Sequence, residues 1–209
     1  MRTRPITLVD ILRVQPYRLR CWSARRMVGS LIAGLVVGTL ICGFAAAQSG
    51  EPNEYEVKAA FLFNFTKFVE WPDASFSDPQ APILLGIIGD DPFGGSLTSI
   101  IAGQKVDGRT IVIQRHRYGD DLRHCQILFV SASERSHVAL ILASVQAAGV
   151  MTVSDIDGFA EAGGLMQFVL EENRVRFVVN LDVAKQSKLR VSAKLLALAR
   201  VVHSAQAVR

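Results

Sequence analysis

Three short stretches carry the residue types that could do chemistry: Asp90-Asp91 in GDDPFG, Ser131 and Ser133 in SASE, and Asp155 in SDIDG. Each follows a short apolar run, which puts it where a strand ends. In an open parallel sheet that carboxyl edge gathers helix N-termini and free backbone N–H groups, and ligands bind there. Carboxylates at Asp90, Asp91 and Asp155 and hydroxyls at Ser131, Ser133 and Ser154 converge if the three strands are neighbours. They form a candidate site for a ligand or signal. Ser, Asp and Gly after a strand are also ordinary caps and turn formers, and both readings stand at this point. Catalytic patterns are missing from the sequence. Asp90-Asp91 lacks the further spaced carboxylates of a calcium loop. No GxSxG elbow surrounds Ser131 or Ser133. His116, His124, His137 and His203 show neither zinc spacing nor an HExxH pattern. No catalytic residue, metal ligand or cofactor is expected.

The elements that must position these loops alternate in type. A helix is expected over Glu54–Glu70, capped by Asn53 and followed by Pro72. Val57, Phe61, Phe65 and Phe68 recur at helical spacing and make its core face. Leu62, Phe63 and Val69 fall outside that stripe. A helix apolar well beyond one stripe is normally covered on two sides. The second cover is a partner, a second copy of the chain in a homodimer, or a later element of the same chain. Short apolar strands are expected at Ile83–Gly89, Arg109–Gln114, Gln126–Val130 and Met151–Ser154, with helices reaching to about Ile101 and Ala147. This alternation predicts a single-domain α/β fold, an open and largely parallel sheet flanked by helices. Gly164–Leu170 and Arg174–Val179 flank Glu171-Glu172-Asn173 and predict an antiparallel hairpin. Leu181–Val202 is expected to close the domain with one or two helices.

The N-terminal part reads as a leader. Arg25-Arg26 precedes an apolar run, Met27–Ala47, that ends in Ala45-Ala46-Ala47, the small residues a signal peptidase requires. Residues 1–47 are expected to be a cleaved signal peptide and residues 48–209 the exported domain. The run is also long enough to act as an uncleaved anchor. Cleavage changes the charge. Of the 23 Lys+Arg and 19 Asp+Glu, the leader takes seven and one, which leaves 16 against 18, a net charge of −2. A basic protein drawn to nucleic acid becomes a mildly acidic one for which no nucleic acid is expected. No second apolar stretch approaches spanning length, so no membrane insertion is expected after cleavage. Cys21 and Cys42 leave with the leader, and Cys125 remains. One cysteine makes no internal disulfide. It reads as a buried small hydrophobe or as one half of an intermolecular bridge.

The motifs YEVKAAFLFNFTKFVEWP (55–72), LGIIGDDPFG (85–94), HCQILFVSASE (124–134), TVSDIDG (152–158), GGLMQFVLEENRVRFVVN (163–180) and RVSAKLLALARVV (190–202) resemble the YfiR-like family of bacterial periplasmic proteins. The resemblance covers nearly all of the exported domain. It implies a periplasmic regulator rather than a catalyst, one that binds the periplasmic sensor part of a membrane-anchored diguanylate cyclase and holds its cytoplasmic GGDEF domain inactive. Release of such a repressor raises cyclic di-GMP and favours biofilm. Redox control through paired cysteines, associated with the family, has no counterpart in a domain with Cys125 alone. Two other readings accompany this one: a small-ligand sensor using the three loops without a cyclase partner, and a hydrolase on the same edge.

Overall fold

Asn53 opens the first helix, α1 (Glu54–Phe68). Its side chain accepts the Tyr55 N–H at 3.3 Å, and Glu56 reaches back to the Asn53 N–H at 3.3 Å, a capping box that anchors the first turn. The computed structural model describes residues 53–146 and 148–203. The expected leader and its cut after Ala47 lie outside the described residues. α1 stops two residues short of the expected end. Val69 turns extended (φ −117°, ψ 132°) and begins β1 (Val69–Glu70), which pairs antiparallel with β9 (Arg190–Val191). A β-branched residue and the approach to Pro72 both favour the extended conformation here.

The central sheet contains β2 (Ile83–Ile88), β3 (Lys105–Val106), β4 (Arg109–His116), β5 (Ile127–Val130), β6 (Met151–Ser154), β7 (Met166–Glu171), β8 (Arg174–Asn180) and β10 (Arg200–Val202). Among the described residues its order is β10-β8-β7-β6-β5-β2-β4-β3. β4, β2, β5, β6 and β7 run parallel, β8 returns antiparallel beside β7, and β10 is parallel to β8. The expected α/β fold with a largely parallel sheet is what forms. The β7–β8 hairpin turns on Glu172 and Asn173, with φ of 49° and 60°, the left-handed pair that a tight two-residue turn needs.

Helices cover both faces, which is why the inner strands read as unbroken apolar runs. Leu85, Ile87, Ile127, Phe129 and Val153 pack on one side with α1 and α2 (Gly95–Ile101). Ile88, Leu128 and Val130 pack on the other with α3 (Val138–Val145). Phe65 is the hub of the first face. Its ring stacks on Phe168 at 5.8 Å, meets Phe177 edge-on at 5.2 Å and lies 6.1 Å from Phe61.

Two expectations are corrected here. The inward stripe of α1 is Lys58, Ala59, Leu62, Phe65 and Thr66, while Val57, Phe61 and Phe68 are only half-buried. The true stripe includes two polar positions, and a search for apolar spacing passes over them. The tail is also not wholly helical. α4 (Leu181–Gln186) and α5 (Ala193–Leu196) are one or two turns long, separated by β9 and followed by β10. Lys188 at φ 56° ends the first of these turns and sends the chain into β9.

Candidate functional site

β2, β5 and β6 are adjacent and parallel, so the three loops that follow them lie along one edge of the sheet. The first two touch. Gly89 has φ +86°, and a Cβ added there would lie 2.3 Å from Ser133 Oγ. Only glycine permits that approach, and next to it the Asp90 N–H donates to Ser133 Oγ at 3.0 Å. The side chains are otherwise engaged one by one. Asp91 accepts the Phe93 N–H at 2.9 Å and pairs with Arg115 at 2.7 Å. Ser131 is buried at the start of a two-turn 3-10 segment, Ala132–His137. Ser154 donates to the Val130 carbonyl at 2.7 Å and accepts the Ile156 N–H at 3.1 Å. These contacts pair no hydroxyl with a base. Asp90 and Ser133 come together, whereas Asp91 faces Arg115 and Asp155 a different neighbour.

Asp155 faces α1. Its Oδ2 accepts Lys58 Nζ at 2.7 Å and the Tyr55 hydroxyl at 3.0 Å. Glu54, one turn before Lys58, closes the group with a second ion pair. Lys58 is 4 % exposed and the Asp155 side chain nine-tenths buried, and Asp155 Oδ1 is buried without a hydrogen-bond partner. The Tyr55 ring meets Phe93 edge-on at 5.8 Å, so the start of α1 ties the β2 loop to the β6 loop. This is a latch: one buried charge pair holds the helix across the carboxyl edge.

Burial raises the Tyr55 phenol above its ordinary 10.0, and the Asp155 charge and hydrogen bond add to the rise. Burial works against the Lys58 ammonium, but hydrogen bonds to Asp155 and Glu54 outweigh it and hold the lysine above its ordinary 10.5. Both groups therefore bind their protons more tightly in the folded state. Their stabilisation is complete below about pH 10 and is lost as pH rises through the folded values. Tyr55→Phe should cost about 1–2 kcal/mol at pH 7 and make the alkaline limb of a stability–pH curve shallower. Thermal unfolding from pH 7 to 11 checks this; an alkaline limb identical to that of the parent chain would remove Tyr55 from the account.

Of the apolar residues outside the expected core stripe of α1, Leu62 (0 % exposed) and Val69 (4 %) are buried in the chain's own core. Their cover is a later element of the same chain, not a partner. Phe63 alone remains half-buried, with Lys67 Nζ 3.9 Å above its ring.

One group was not expected from the sequence. His116, His124 and Cys125 each offer a ligand atom, and these atoms lie within 4.8 Å of one another. Burial, then the neighbouring His124, holds His116 below the ordinary histidine value; burial and then the Asp121 charge push the Cys125 thiol up to about 11. Two cavities, of about 290 and 330 Å3, also lie away from the three loops, one between α3 and α4 and the other beside His124 and Cys125. Among the described residues, no helix is long and apolar enough to cross a membrane.

The family model described as DUF4154: YfiR/HmsC-like matches residues 55–200. Comparison with curated proteins finds no match. Among solved structures the chain is similar to a conserved domain protein from Vibrio cholerae O1 biovar El Tor, at 11 % identity and a TM-score of 0.48 over 71 % of this chain and 60 % of that one. It is similar to an ABC domain in complex with L-Trp from Streptococcus pneumonia, at 13 % identity and a TM-score of 0.43 over 57 % and 55 %. It is also similar to a substrate binding protein with adhesive properties from Clostridium difficile, in a ligand-free, open structure, at 10 % identity and a TM-score of 0.43 over 58 % and 55 %. The chain thus spans between 55 % and 60 % of the length of these structures.

Proposed function

The chain belongs to the YfiR/HmsC-like family, and from that membership we propose that it is a periplasmic repressor of an inner-membrane GGDEF diguanylate cyclase. In this reading it binds the periplasmic sensor part of the cyclase and keeps cyclic di-GMP and biofilm formation low. The observation that carries the reading is the family match, which runs from the second residue of α1 to the first of β10. The protein acts by binding, not by turnover. Its leader takes it to the periplasm, where the partner's sensor part is exposed.

Within this reading the latch is the element that a signal would move. The buried Asp155–Lys58 pair joins α1 to the edge on which Asp90, Asp91, Ser131 and Ser133 also lie. Phe63, half-buried on α1, supplies the apolar contact to the cyclase. A change at the edge loops thereby alters how α1 presents that contact.

Deleting the gene should raise cellular cyclic di-GMP and adhesion, and the leader-bearing chain should restore the low state. A leaderless copy should fail, because it sits on the wrong side of the membrane. Phe63→Glu should weaken repression without reducing export. Asp90→Ala and Asp155→Ala should alter signalling more than folding, since Glu54 still pairs Lys58 when Asp155 is removed. Losses of stability and signalling that match in size would make both residues structural. Unchanged cyclic di-GMP in the deletion strain across growth conditions would overturn the repressor reading.

A further inference from the structure

A second cluster sits on the opposite face of the sheet from α1 and is independent of the repressor reading. His116 closes β4, and His124 and Cys125 lie before β5, separated from its first residue by Gln126; in the sheet, β2 lies between these two strands. The residue of β2 at the crossing point is Gly86. A Cβ there would lie 2.8 Å from Cys125 Sγ and 3.2 Å from His116 Cδ2. The missing side chain is the space through which the two groups meet, with Cys125 Sγ 3.6 Å from His116 Nε2.

We propose that His116, His124 and Cys125 form a binding site for one thiophilic d10 cation, zinc(II) or copper(I), held by one thiolate and two imidazoles. Two ligands of a tetrahedral zinc ion, with Zn–S about 2.3 Å and Zn–N about 2.0 Å, stand roughly 3.5 Å apart. The Sγ–Nε2 separation already has that value. A thiol-to-imidazole hydrogen bond accounts for the Cys125–His116 contact alone. It leaves unexplained why His124 brings a third ligand atom within 4.8 Å of the other two. Mixed thiolate and imidazole donors select zinc or copper(I) over magnesium and calcium.

The surroundings complete the site. His116 turns Nε2 toward Cys125 and Nδ1 toward Asp120, whose Oδ2 is 3.8 Å away. A carboxylate behind a ligating imidazole fixes its tautomer and raises its basicity. Gln114 Oε1 stands 3.2 Å from His124 Nε2. Cys125 is 2 % exposed, but His124 is exposed, and the 330 Å3 cavity that reaches both is bounded by Ser75 and Leu84. An ion enters from that side and keeps its fourth position for water. Binding breaks the Cys125 S–H bond, forms the S–metal bond and releases the proton to solvent, with no change of oxidation state.

The full chain, purified and freed of metal with a chelator, is titrated with zinc(II) and, without oxygen, with copper(I), with magnesium(II) as the control. One equivalent of zinc or copper should bind, and magnesium should not. Cobalt(II) in place of zinc should give the near-ultraviolet thiolate charge-transfer band. Cys21 and Cys42 also carry thiols, so every signal is read as the difference between the chain and its variants. Cys125→Ser should abolish the band, and His124→Gln should weaken binding by about 10–100-fold or more. Because His124 is exposed, His124→Gln keeps the fold and decides the matter even if Cys125→Ser does not fold. Stoichiometric binding of either ion that is weakened at least about 10-fold in His124→Gln supports the site. Binding of neither ion, or full affinity in His124→Gln, overturns it.

Discussion

Phe65→Ala is expected to lower stability by about 3–5 kcal/mol and the melting temperature by roughly 10–15 °C. The ring is fully buried and touches Phe61, Phe168 and Phe177, so one truncation removes contacts with both α1 and the β7–β8 hairpin. Neighbouring aromatic rings do not collapse into the space left behind, and the cavity adds its own cost to the lost transfer energy. Phe61→Ala should cost less, because that ring is half-buried and its loss opens a groove rather than a hole. Urea denaturation of both variants checks the order; an equal cost for the two would mean that the aromatic cluster shares its burden evenly and has no hub.

Lys58→Met should be comparably severe, at about 3–5 kcal/mol, since removing one partner of a buried pair leaves an uncompensated charge. Asp155 would keep only the Tyr55 hydroxyl on Oδ2, while Oδ1 has no partner even in the parent chain. The double variant Lys58→Met, Asp155→Leu should recover much of the loss, because apolar groups of similar size often replace a buried ion pair without penalty. A double-mutant cycle separates the pair from the rest of the latch. Additive single-variant losses would show that Lys58 and Asp155 do not act through one another.

Much of the scaffold was legible because the strands announce themselves. Ile83–Ile88, Ile127–Val130 and Met151–Ser154 are apolar runs bounded by Gly, Ser and Asp, and burial on both faces requires such runs. Alternation with helices pointed to a parallel sheet, but which strands are neighbours was open in the sequence, and the order β6-β5-β2 is what gives the three loops a shared edge. The latch was not legible. Lys58 looks like an ordinary i+4 partner for Glu54, and its buried partner Asp155 is 97 residues away. Nothing local marks a lysine as pointing inward. Leu62 was assigned to the wrong side of α1 for the same reason, because Lys58 and Thr66 interrupt the apolar stripe to which it belongs. β9 and β10 are two and three residues long, too short for any periodicity. His116, His124 and Cys125 lack a metal-ligand spacing because the sheet, through Gly86, brings them together.

The position of α1 in the chain has a kinetic consequence. The helix is complete before any strand of the central sheet has been reached, yet Phe65 finds Phe168 and Phe177 roughly a hundred residues later, and contacts of such separation form late because the intervening loop must close first. β2, β4, β5 and β6 can assemble among themselves while the aromatic side of α1 is still bare. An apolar helix waiting for its cover is a binding site for a holdase and a seed for aggregation. Slow docking of α1, not formation of the parallel strands, should therefore set the time this chain needs to become resistant to proteolysis.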